Sequence, residues 1–205
     1  MENLFPIALD TVLEDDQVLL RALQPDDWRN LLHIALNEPE TWFYSLLSGA
    51  GEEGMKAYVA DAIAGREAGH SFPFIVYDKV TGEYAGSTRF YDILPAFKTL
   101  QLGYTWYGKN FRGTGLNKHC KYLLLQFAFE TLAIERVEFR ADNANARSVA
   151  AMKSIGCTVD GILRSNMPKP KGQEGRRDSI VLSILKGEWE QNVKESLGHK
   201  TYGDI

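Results

Sequence analysis

One stretch limits the fold of this chain more than any other, residues 100 to 132. Leu100 to Tyr107 (LQLGYTWY) reads as a strand, Gly108 to Gly115 (GKNFRGTG) as a loop, and Leu116 to Leu132 as a long helix. Gly108, Gly113 and Gly115 let the loop turn sharply and let a ligand approach its backbone closely. The helix that follows turns its unpaired N–H groups and the positive end of its dipole toward the loop. A strand, a glycine loop and a helix N-terminus in that order make an anion site, and phosphate is its commonest occupant. An ordinary glycine-rich strand-to-helix turn has the same composition.

The missing residues narrow the choice of phosphate ligand. A nucleoside-triphosphate loop requires G-x-x-x-x-G-K-[ST]. Gly108 and Gly113 have that spacing, but Thr114-Gly115 follows in place of Lys and Ser or Thr. A dinucleotide fingerprint requires G-x-G-x-x-G, and Lys118 stands where the third glycine belongs.

Arg112-Gly113-Thr114-Gly115-Leu116-Asn117 instead resembles the pyrophosphate loop of the GCN5-related N-acetyltransferases, the GNAT superfamily. That pattern is Arg or Gln, two residues, Gly, one residue, then Gly or Ala. Arg112 and Gly115 match it. Asn117 departs from it, placing a side chain where a small residue is usual.

At 205 residues and 44% hydrophobic content the chain is expected to form one domain with a substantial core. A net charge of −4 and a pI near 5.6 argue against general affinity for nucleic acid. The N-terminal MENLFPIALD lacks the basic residues of a signal peptide, and no apolar run approaches a membrane span. Cys120 and Cys157 read as free thiols of a cytoplasmic protein. The four histidines form no H-x-H or H-E-x-x-H cluster, so no metal site is expected. The expected assembly is a monomer or homodimer.

Along the chain, residues 1 to 16 read as a loose lead-in and Val18 to Leu23 as a strand. Pro25-Asp26-Asp27 is a helix-start signal, and Leu31, Leu32, Ala35 and Leu36 recur at helical spacing. Trp42 to Leu47 reads as apolar packing, and Met55 to Arg66 as a helix. Phe72 to Asp78 and Tyr84 to Ile93 flank turn chemistry and read as a hairpin. After the central helix, Arg136 to Asp142 alternates as a strand. Asn145 is an N-cap, and Gly156 a C′ residue for the helix between them. Thr158 to Arg164 and Asp178 to Leu185 form a last hairpin around a polar loop. The segment after Gly187 is helix-prone or frayed. This order is mixed α/β, and it resembles the GNAT order over residues 17 to 187, between the lead-in 1 to 16 and a tail at 188 to 205. The implied fold is a mixed, mostly antiparallel sheet flanked by helices.

The narrower resemblance is to the RimJ/RimL-type ribosomal-protein N-terminal acetyltransferases. It rests on Gly103-Tyr104-Thr105-Trp106, the Arg112 loop, Asn145-x-x-Ser148 and Asp160-Gly161. It implies acetyl-CoA as co-substrate and a primary amine as acceptor: a protein N-terminus or a small molecule such as an amino acid, an antibiotic or a polyamine. Arg112 to Asn117 would then hold the pyrophosphate. The backbone of Trp106-Tyr107 would pair with the pantetheine amides like an added strand, and a bulge there would open the strand edge. Asn145 caps its helix or borders the cofactor. Many family members carry a tyrosine acid near the start of that helix; Ser148 stands here and would hydrogen-bond the sulfur or relay a proton. The base is open among Glu138, Asp142, Asp92 and Glu83, with Asp92 through a water chain as the choice. Met167 occupies the place where a glutamate is expected. Lys169, Lys171, Arg176 and Arg177 read as a solvated hairpin loop, or else as a lip preferring an acidic acceptor. A non-catalytic acyl-CoA-binding or regulatory module on the same fold is the alternative function.

Overall fold

The computed structural model describes residues 7–203. Its framework is an eight-stranded sheet in the order β1-β2-β3-β4-β5-β6-β8-β7. The strands are β1 Val12–Glu14, β2 Val18–Ala22, β3 Ser71–Asp78, β4 Glu83–Leu94, β5 Thr99–Tyr107, β6 Arg136–Asp142, β7 Thr158–Pro168 and β8 Arg176–Leu185. All neighbours are antiparallel except β5 and β6, which run parallel. The mostly antiparallel sheet flanked by helices is therefore the expected fold class.

Helices α1 (Trp28–Asn37) and α2 (Gly51–Glu67) cover one face of the sheet. Their core holds Leu31, Ile34, Trp42, Met55, Tyr58 and Trp106. The other face packs on α3 (Leu116–Gln126), α4 (Ala146–Ser154) and the C-terminal helices α5 (Lys186–Glu188) and α6 (Lys194–Tyr202). Strand alternation sorts the side chains between these faces. On β6, Val137, Phe139 and Ala141 enter the larger core, while Glu138 and Arg140 face the α1/α2 side.

Several elements differ from the sequence reading. Val12–Glu14 pairs with β2, so the expected loose lead-in contains an edge strand; residues 1–6 of that lead-in lie outside the described residues. The final hairpin runs on to Pro168 and resumes at Arg176, because Met167 and Pro168 still pair with Arg177 and Arg176. The long helix ends in a π turn at Phe127–Thr131. Beyond Gly187 the chain is helical, and Trp189, Val193 and Leu197 are buried in the larger core.

Candidate active site

The site is built where β5 and β6 separate. Their ladder has three pairs: Thr99 with Arg136, Leu100 with Val137 and Gln101 with Glu138. Beyond them no ladder pair joins the strands, and a wedge opens toward Tyr107 and Asp142. The cause lies in β5. Between the pairs Ser87–Trp106 and Arg89–Gly103, the single residue Thr88 faces both Tyr104 and Thr105. That is a β-bulge, and Tyr104 adopts φ 49° within it. The bulge stands two residues before the Trp106-Tyr107 position where the sequence reading looks for one. A strand edge that stops pairing leaves N–H and C=O groups for a ligand.

Two helix N-termini flank the open end. The loop Gly108–Gly115 leads from β5 into α3. Gly113 and Gly115 hold φ +80° and +98°, and a Cβ on either would meet nothing within 4 Å. Among the described residues, none accepts a hydrogen bond from the N–H of Gly113, Thr114 or Gly115. Thr114 Oγ1 instead donates to the Phe111 carbonyl at 2.9 Å, which tightens the turn. Open space and three free donors on a helix N-terminus fit an anion such as a pyrophosphate. On the other side, Asn145 Oδ1 accepts from the Ser148 N–H at 3.1 Å, the expected N-cap of α4. Leu116 is buried under the loop, and Asn117 is half-buried on the first turn of α3.

Arg112 points into the protein. Its Nε donates to the Tyr107 carbonyl at 2.9 Å and its Nη2 to Thr41 Oγ1 at 2.7 Å. Burial lowers its pKa, and so does the nearby Arg147, which stands on the first turn of α4. Glu38 lies 3.8 Å from Arg112 Nη2 and offsets part of the guanidinium charge. Trp106 and Tyr107 bury their rings on opposite faces of the sheet, Trp106 edge-on to Trp42 at 4.5 Å, so only their backbone faces the wedge.

Ser148 is half-buried, and among the described residues its hydroxyl has no hydrogen-bond partner. Asp92 lies at the other, closed end, exposed at φ 45°, where it accepts from Gln101 Nε2 at 2.9 Å. The structure thus gathers the loop, Asn145 and Ser148 at the open end but does not bring Asp92 to them. Of the other acids, Asp142 receives the Ala144 N–H, Glu138 is clasped by Arg136 and Arg140, and Glu83 starts β4 at an exposed hairpin turn.

The α1/α2 face of the wedge carries residues that sequence reasoning missed. Arg89, almost fully buried, packs over the Tyr104 ring at 4.1 Å and pairs with Asp61 at 3.1 Å. Burial, aided by Tyr104 and Asp92, pushes the Tyr91 phenol up, so it remains a proton donor. The loop between α1 and α2 roofs this side: Tyr44 Oη donates to the Ala144 carbonyl, and Gln173 and Arg177 donate to the Phe43 and Tyr44 carbonyls. Lys169 and Lys171 are exposed beyond that contact. The signal for Arg89 is a charged residue in an otherwise uncharged stretch of a strand, GSTRFY, that packs between two layers. Asp15, Asp16 and His119 cluster away from the wedge. There Asp15 is engaged by His119, Tyr202 and the N–H groups of Gln17 and Val18.

A sequence profile described as acetyltransferase (GNAT) domain matches residues 17–158. YdaF of Bacillus subtilis (strain 168), whose name proposes a ribosomal N-acetyltransferase, is 25% identical over 186 residues, covering 86% of this chain and 95% of YdaF. A crystal structure from T. thermophilus, described as a proposed acetyltransferase, superposes with a TM-score of 0.83 and 30% identity over 95% of this chain and 99% of that one. RimJ of Mycobacterium smegmatis, solved in complex with CoA-disulfide, has the same fold at a TM-score of 0.75 and 18% identity, over 91% of each chain. The profile spans most of the chain and the splayed strands stand at its centre: this protein belongs to the GNAT family of acetyltransferases.

Proposed function

We propose that acetyl-CoA binds at the open end of the β5–β6 wedge and that its acetyl group passes to a primary amine arriving from the α1/α2 face. One observation carries this reading. The unpaired N–H groups of Gly113, Thr114 and Gly115, the free β5 edge and the unengaged Ser148 hydroxyl all border one opening. The loop binds the pyrophosphate through backbone donors, while Arg112 holds the loop in shape from behind. The pantetheine amides pair with β5 beyond Gln101. That RimJ, which has the same fold, was solved in complex with CoA-disulfide supports a CoA ligand.

In the reaction the amine nitrogen bonds to the thioester carbonyl carbon, the C–S bond breaks, and the thiolate takes up a proton. N–H groups of the β5 edge face the oxyanion. Ser148 donates a hydrogen bond to the sulfur as charge builds there. Asp92 takes the amine proton only through intervening water, given its place at the closed end. Likeness to YdaF supports a protein N-terminus as acceptor, and the roofed face also suits a small amine. The two buried free thiols accord with a cytoplasmic setting. The test is ligand-induced stabilisation. Acetyl-CoA raises the Tm, because a ligand that binds only the native state must, and NADH and ATP at equal concentration raise it less. A larger shift with ATP would remove acetyl-CoA from the site.

A further inference from the structure

Lys121 is on the buried face of α3, where a helix of this kind carries an apolar side chain; it is 5% exposed among residues of the larger core. Its ammonium lies where β5 and β6 part. Nζ donates to Thr105 Oγ1 on β5 at 2.8 Å and reaches Thr88 Oγ1 on β4 at 3.4 Å. The Phe139 ring on β6 is centred 6.0 Å away. Among the described residues no carboxylate comes within ion-pair distance of it. The titratable groups that face it are Cys120 on α3 and Cys157 between α4 and β7. Burial pushes both thiols up to about 12, so they provide no counter-charge at neutral pH. Burial also pulls the lysine itself down to about 8.

A buried cation without a counter-ion opposes folding, and an apolar side chain of equal volume at such a place is commonly neutral or stabilising. Packing therefore does not account for Lys121, whereas its position does. The hydroxyls of Thr88 and Thr105 bond to each other at 2.7 Å, and the one that accepts in that bond is free to donate to the Gly103 carbonyl, 3.4 Å from each. The ammonium is thereby joined to the bulge that opens the wedge. Acyl transfer in that wedge puts negative charge first on the carbonyl oxygen and then on sulfur. A fixed positive charge in a dry core acts strongly on charge that develops nearby.

We propose that Lys121 is a positioning residue for acetyl transfer: through Thr105 and Thr88 it fixes the bulged β5 backbone, and its charge offsets the negative charge that develops in the wedge. The inference rests on the wedge being the acetyl-CoA site.

The test compares the full-length wild type with Lys121→Met, Lys121→Gln and Lys121→Arg. Each is measured for Tm, for acetyl-CoA affinity, for kcat and KM with one amine, and for the pKa of the CoA thiol in its enzyme complex, read from thiolate absorbance. Lys121 itself lowers both buried thiols, so each protein is also titrated without CoA and that background is subtracted. Lys121→Met should keep or raise the Tm and bind acetyl-CoA within about threefold of wild type, while kcat falls at least about tenfold. The bound thiol should titrate about one unit higher, a tenfold change in its ionisation. Lys121→Arg should recover part of kcat and of the thiol shift. A folded Lys121→Met or Lys121→Gln with kcat within about twofold of wild type and an unmoved thiol pKa would overturn the proposal. Failure of both neutral variants to fold would assign the ammonium to structure and overturn it as well. A wild type that does not bind acetyl-CoA overturns the reading of the site and this proposal with it. That outcome is distinguishable because it shows before any variant is compared.

Discussion

Gly115 shows how one residue joins fold and chemistry. Its φ of +98° lies in the region that L side chains avoid, and the space a Cβ would enter is open. In the proposed site this open space takes the pyrophosphate. Gly115→Val should therefore lower acetyl-CoA affinity at least about tenfold, by strain and by filling the cradle, while the far-UV spectrum stays near wild type. Unchanged affinity in the folded variant would take the loop out of the site. Ser148 and Asn145 separate along the same first turn. Ser148→Ala should lower kcat by about ten- to a thousandfold, because its hydrogen bond strengthens as charge builds on sulfur. Its acetyl-CoA affinity should fall less than about tenfold. Asn145→Ala should cost about 1 kcal/mol of stability through the lost cap, read from urea unfolding. Full kcat in Ser148→Ala, where chemistry limits the rate, would leave the proton to solvent or to a phenol such as Tyr91.

Elements with a local cause are the ones legible in the sequence. The strand, glycine loop and helix from Leu100 onward and the Asn145 cap each depend on neighbouring residues, and they stand where the pattern puts them. The bulge does not, because Tyr104 at positive φ contradicts its residue type and is held by contacts distant in sequence. Its ring packs on Arg89, and its carbonyl accepts from Tyr58 Oη at 3.2 Å. Asp92, also at positive φ, was legible as an acid near the cleft but not as one at its closed end, since that depends on register. Lys121 was missed because a lysine next to Cys120 on α3 reads as solvated until the threonines of β4 and β5 are seen beneath it.

Another long-range element contact has a measurable pH dependence. Arg21 on β2 clasps the buried Asp27 at the head of α1 with two hydrogen bonds of 2.8 Å. Burial raises the Asp27 pKa, but Arg21, the Gln24 N–H and Asn30 outweigh it and hold the carboxyl below its ordinary 3.8. The folded value lies below the unfolded one, so this stabilisation is fully present above the unfolded pKa. It is lost as the pH falls below 3.8 toward the folded value. Asp27→Asn should cost about 1–3 kcal/mol at neutral pH and flatten the acid limb of the stability curve. An acid limb as steep as that of wild type would show that the pair is not linked to folding.

Across the whole molecule, the two halves of the site share one strap. The loop between α1 and α2 reaches the Gly108–Gly115 loop through Glu38, which accepts from the Lys109 N–H at 2.8 Å, and through Glu40, which pairs with Lys109. It reaches the β7–β8 hairpin through the carbonyls of Phe43 and Tyr44. The C-terminal helices brace α3 from behind. Trp189 is buried on Phe129, and its Nε1 donates to Glu130 at 3.0 Å. Trp189→Ala should cost about 3–5 kcal/mol in urea unfolding, as large core truncations do. A loss under about 1 kcal/mol would mean that this segment is not part of the cooperative core.

In the proposed function, acetyl passes from acetyl-CoA to an amine across the wedge of this GNAT domain. The most direct test incubates the full chain with acetyl-CoA and a panel of primary amines that includes ribosomal-protein N-terminal peptides, amino acids and polyamines. Mass detection then identifies the product, and released thiol is followed over time. At least one amine should become heavier by one acetyl group, with thiol released in equal amount and well above the rate in buffer. Stabilisation by acetyl-CoA with no acetylated amine and no thiol release above buffer, across the whole panel, would contradict it and leave a module that binds acyl-CoA without turning it over.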